Sequence, residues 1–203
     1  LTQPRNPVRL VGWDPRDAGL STSGGDDILH SVSVSEDGRH AYLSHQLSGL
    51  LVADVSNLPN VSLVTPPSAA LDWAPPGAMG PHSAVPVPGK DVLVVTEEIY
   101  PAPYGAGCPW GHLRTVDISN PAAPALLAEF RIAENDAALC ATALERTTFT
   151  AHNATVTRDL ALVTWYSGGL LAIDLADPAK PTQVAELRPD PLPAVTTEDP
   201  ALG

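Results

Sequence analysis

Short apolar runs alternate with turn residues along the chain, and no stretch sustains the period of an amphipathic helix. Three of these runs close in the same way: GLLVADV at 49–55, HLRTVDI at 112–118 and GLLAIDL at 169–175. Each ends on an Asp followed by an aliphatic residue, at Asp54, Asp117 and Asp174, and a proline-marked turn comes next. The turn reads DISNPAAP at 117–124 and DLADPAKP at 174–181; the copy at 54–61, DVSNLPNV, has Leu58 in place of the first proline. A carboxylate at a strand end suits this turn, because it accepts backbone N–H groups that the turn leaves unpaired. The opening LTQPRNPVRLVG (1–12) fits the same turn, with Pro4 and Pro7 at the proline positions. On that match the chain is expected to begin inside a structural unit and to be a piece of a longer protein.

A second element recurs upstream of each Asp. His30, His82 and His152 each precede a short β-prone run, and each run leads through a turn into another apolar stretch at 35–45, 88–98 and 157–167. Asp37-Gly38 is a strong hairpin signal, since both residues tolerate the positive φ of tight turns. A repeat therefore reads as four strands: the His strand, the post-turn strand, the strand closing on Asp, and the strand after the proline turn. Four-stranded repeats of about 40–45 residues build β-propellers. The histidines are 52 and 70 residues apart, so the excess must lie in inserted loops, at 66–81, 97–111 and 132–151. The expected fold is all-β: a partial β-propeller of about three four-stranded antiparallel blades, at roughly 28–66, 81–131 and 151–188. A blade remnant at 1–20, with 1–11 as the outer strand of a preceding blade, comes before them, and a tail at 189–203 follows. A short helix within 133–145 is the one helical expectation, on its alanine content.

Composition narrows the function. Eleven Lys and Arg stand against 23 Asp and Glu, giving a formal charge of −12. A field of that sign repels phosphates, which argues against nucleic acid and against polybasic attachment to anionic lipid. No apolar run reaches the length of a membrane span.

The GLLVADVSN, LRTVDISNP and LLAIDLADP segments, with their His lead-ins and Asp-Gly hairpin, resemble the LVIVD repeat, a β-propeller family. The resemblance runs over about residues 1–187 and departs from the pattern at Leu58 and in the long insertions. It implies a propeller, and a secreted, periplasmic or cell-surface setting. It does not imply a chemistry, because propellers host unrelated activities.

The apolar residues of the repeats are expected in the core. No serine-nucleophile elbow, phosphate loop, zinc-protease helix or paired-cysteine motif is present. Asp26-Asp27 lacks the alternation of a calcium loop. The glycosylation patterns at Asn60 and Asn153 are short, and Asn153 falls in a strand expected to be buried. Cys108 and Cys140 sit in two insertions that emerge on one face of a propeller, so a disulfide between them is expected, and with it an oxidising compartment.

The first strand of a propeller blade lies next to the central channel. His30, His82 and His152 are therefore expected at one rim, with His45, Glu97 and Glu98 on the same face. Neutral imidazoles and carboxylates gathered there suit a transition metal or a polar ligand. The competing expectation is a fastener, each His bonding backbone of the next blade. The leading functional expectation is a non-catalytic binding or scaffolding propeller, taking a protein, glycan or small molecule at the channel mouth and inserted loops. The alternative is a metal-dependent oxidoreductase or hydrolase with a His/Glu site at that mouth, a distant likeness to the methanethiol oxidase propellers, which use histidines. The remaining blades of the parent propeller are further expected partners.

Overall fold

The structure, a computed structural model, describes residues 3–20, 28–71, 80–100, 107–140 and 148–190. Its twelve strands form three four-stranded antiparallel sheets, each in sequence order. The first blade holds β1 (Leu29–Val34), β2 (His40–His45), β3 (Gly49–Asp54) and β4 (Ser62–Leu63). The second holds β5 (Pro81–Pro86), β6 (Val92–Glu97), β7 (Leu113–Asp117) and β8 (Ala125–Phe130). The third holds β9 (Ala154–Val156), β10 (Leu160–Trp165), β11 (Gly169–Asp174) and β12 (Thr182–Leu187). Among the described residues helix is confined to short turns and to α1 (Ala137–Cys140), and no helix there is long and apolar enough to cross a membrane.

Local sequence explains the turns. Gly38 takes φ 71°, a left-handed conformation that an L side chain adopts only with strain, and closes the β1–β2 hairpin. The repeat aspartates act on the turns that follow. Asp54, Asp117 and Asp174 each accept through Oδ1 from a backbone N–H two residues on, at Ser56, Ser119 and Ala176, all at 2.8 Å. That bond, with the serine beside it, lowers the pKa of Asp54 and Asp117.

The sheets stack face to face, and the first strands β1, β5 and β9 lie side by side. Between the first and second blades pack Tyr42, Leu50, Val52, Leu93, Val95 and Val116. Between the second and third pack Val94, Leu113, Val163, Trp165, Leu171 and Ile173. Full burial of side chains of this size is worth about 1.5–3 kcal/mol each. Polar fasteners cross both joints. Ser33 donates to the Ala84 carbonyl, and Thr65 to Pro121 at 3.0 Å. Thr96 donates to His152, Thr115 to Pro178 at 2.6 Å, and Lys90 to Leu175 at 2.6 Å.

The outermost faces differ. On the first blade Ala41, Leu43, Leu51 and Ala53 are covered by Trp13 and Leu20 of the opening segment. On the third blade Leu162 and Leu187 are 40% and 64% exposed. The expected outer strand over 1–11 is corrected: residues 3–14 form no strand, because no neighbouring strand among the described residues offers it a ladder. Asn153 is also corrected, being exposed and just ahead of β9. Asp26-Asp27 and most of the tail lie outside the described residues, as do parts of all three insertions.

Candidate functional site

The site begins with two irregularities in strand pairing. In β1 the register jumps between Leu29 and Ser31, and in β5 between Pro81 and Ser83. His30 and His82 are the residues skipped. A bulge of this kind releases one residue from the ladder and re-aims its side chain. His152 reaches the same place by another route: it precedes β9, with its N–H on the Thr164 carbonyl and its own carbonyl held by Thr96.

The three imidazoles line up in a row. Ring centroids are 4.0 Å apart for His30 and His82 and 4.4 Å for His82 and His152, and His152 stacks on Tyr166 at 5.4 Å. The row passes from exposed to buried to half-buried. Burial, before any neighbouring charge, drives the His82 pKa down to about 4, with His30 and His152 lowering it further and Glu98 opposing. His82 is thus a neutral imidazole at physiological pH, the form that ligates metals.

Glu98 anchors the row and is only 1% exposed. Its Oε1 accepts from the Tyr166 hydroxyl and lies 3.3 Å from His152 Nε2. Its Oε2 lies 3.4 Å from His82 Nε2 and takes no hydrogen bond. Burial, then the bond to Glu98 and its charge, raise the pKa of both Tyr166 and Tyr100, so both phenols remain protonated donors. Tyr166 stands at φ 27°, strained for a residue with a side chain. One ligand atom from each of His30, His82 and Glu98 falls within 4.8 Å of the others, a donor set that can hold a metal ion.

His45 and Glu97 are not among those donors. Successive strand residues point to opposite faces, so Glu97 turns away from Glu98. Its Oε2 pairs with Arg114 Nη1 at 2.7 Å and lies 3.4 Å from His112 Nδ1. Burial raises the Glu97 pKa, against the Arg114 charge. Burial, then Arg114 and Arg131, hold His112 down at about 4. Glu129 closes the network, 3.1 Å from Arg114 Nε. Gly111 lets β7 approach: a Cβ there would stand 2.2 Å from the Glu97 carbonyl oxygen. His45, 3% exposed, occupies the equivalent inward position at the end of β2.

The sequence reading missed the roles of Tyr166 and Asn135. Tyr166 had a signal, because Gln46, Glu98 and Tyr166 each follow the last residue of a second strand. Buried Asn135 organises an insertion. Its amide donates to the carbonyls of Trp110, Gly111 and Phe149, while its oxygen accepts from Ile132 N–H at 3.0 Å. Only the fold brings those groups together.

No curated protein matches the chain. The family model described as the LVIVD repeat matches residues 29–66, which span the first blade, and 108–131, which span the later strands of the second. These two segments are similar to the LVIVD repeat, and the three four-stranded sheets have the arrangement of a partial β-propeller.

Proposed function

We propose that this propeller is a binding module that holds one divalent transition-metal ion at its axial rim, on His30, His82 and Glu98. The observation that carries the reading is the convergence of these donors within 4.8 Å from two successive blades. Imidazole and carboxylate together suit zinc, iron, copper or nickel more than calcium or magnesium. Glu98 Oε2 supports it, as a buried atom without a hydrogen bond among the described residues, 3.4 Å from His82 Nε2. An unmet buried polar atom costs about 1–3 kcal/mol, which a metal bond would offset. A fastener role for the imidazoles is less well supported, since Ser33, Thr65, Thr96, Thr115 and Lys90 already bond backbone carbonyls across the joints. The test is equilibrium dialysis of the whole chain against zinc with elemental analysis. The expected result is one ion per chain, with affinity reduced about tenfold or more in His82→Ala and Glu98→Gln. Sub-stoichiometric zinc, or affinity unmoved by both substitutions, overturns the reading.

Cys108 and Cys140 belong to the same proposal as a disulfide that ties two insertions on one face and sets the chain in an oxidising compartment, outside the cytoplasm. No described cysteine is free, which supports it. The expected outcome is no alkylation of the unreduced protein under denaturing conditions, and a stability loss of about 3–4 kcal/mol on reduction. Two alkylated thiols before reduction would remove the bridge. The further blades of a larger propeller are proposed to cover the bare face of the third blade.

A further inference from the structure

Resting on the metal reading above, we infer that the rim holds an open metal centre, with coordination positions left for a small exogenous anion or oxygen-donor molecule. Glu98 limits how many positions the protein can fill. A carboxylate can chelate through both oxygens, but here Oε1 is taken by the Tyr166 hydroxyl and faces His152 Nε2 at 3.3 Å. Only Oε2 is left without a hydrogen bond. Glu98 therefore binds through one atom. His30 and His82 each add one nitrogen, so the described residues supply three donors.

His152 does not make a fourth. Its Nδ1 meets the Asn153 side-chain amide at 3.1 Å, and its Nε2 faces the occupied oxygen of Glu98. Its side chain is 30% exposed and stands in the same row as the ligands, stacked on Tyr166. It is a positioning residue: with Tyr166 it holds the carboxylate in its one-atom orientation. Divalent transition ions take four to six ligands, and sites with three protein donors complete the set with water or substrate. His30 is exposed, so the vacant side of such an ion opens toward solvent. A structural site would instead close with a fourth side chain.

Cobalt(II) is a spectroscopic probe of this arrangement, and azide is a small anion that enters open positions. The whole chain, freed of metal, is titrated with cobalt, and the visible absorption is followed as azide is added. The expected result is one cobalt per chain and a saturable change of its spectrum with azide. His152→Ala is expected to weaken cobalt binding about 10–100-fold, as loss of an outer partner does, while keeping one cobalt at saturation and its azide response. Tyr166→Phe should do the same. One bound cobalt whose spectrum ignores azide overturns the open centre and leaves the metal reading standing. So does loss of all cobalt from His152→Ala with unchanged circular dichroism, because His152 is then the fourth ligand. Failure of cobalt to bind the unaltered chain, with zinc also failing in dialysis, removes both.

Discussion

At the scale of single residues, the inside of the second blade carries an unusual load of charge. Glu97, His112 and Arg114 are 2%, 5% and 4% exposed, and their charged groups face one another rather than solvent. This makes stability depend on pH with a definite sign. His112 titrates near 6.5 when unfolded and about 4 when folded, so between those values the unfolded chain binds a proton that the native chain refuses. Stability then falls as pH drops through that window, by up to about 1.4 kcal/mol per pH unit from this group. Glu97 acts in the opposite direction, its carboxyl being raised. The comparison that isolates His112 is urea unfolding of the protein and of His112→Gln between pH 4 and 6.5. The substituted chain is expected to show a shallower decline, and equal slopes would refute the assignment. The sequence exposed part of this network: Arg114 stands out inside the apolar run HLRTVDI. Its partner was not legible, because choosing between Glu97 and Glu98 needs the face each one takes. The three rim histidines were legible as a repeated position. That His30 and His82 occupy bulges was not, since register slips depend on both paired strands.

At the scale of elements, most of the architecture was readable, because hydrophobic period, turn chemistry and repetition agree in all three blades. The fourth strands, expected after each proline turn, fall at Ser62–Leu63, Ala125–Phe130 and Thr182–Leu187. The opening segment was misread for a physical reason: a strand exists only with a partner, and the proline turn it matched says nothing of partners. The joints between blades have a simple recurring chemistry, a hydroxyl on one blade and a backbone carbonyl on the next. Thr115, with no exposed surface, donates to Pro178 at 2.6 Å. Thr115→Val keeps the shape and strands the carbonyl, so a loss of about 1–3 kcal/mol is expected in denaturant unfolding. Thr115→Ser should recover most of it. Equal stability of all three forms would show that this bond contributes nothing at the joint.

At the scale of the whole molecule, the two ends of the stack are unlike. Trp13 and Leu20 cover much of the first blade's outer face, while Val32 and Val34 remain 57% and 51% exposed. The third blade presents Leu162 and Leu187 to solvent. Apolar sheet faces of this kind associate, so the chain alone is expected to self-associate in sedimentation velocity at micromolar concentration. Leu162→Glu should shift it toward monomer, and an unaltered monomeric profile for the parent chain would refute the expectation. The rim has a different lesson. Each blade brings one histidine to the row, and repetition alone would give all three identical neighbours. At the position just after the second strand this chain carries Gln46, Glu98 and Tyr166 instead. That difference polarises the row, with an acceptor in the middle blade and its phenol donor in the next. The three blades are therefore not interchangeable: a bulge presents the histidine in the first two, and in the third it stands ahead of the first strand.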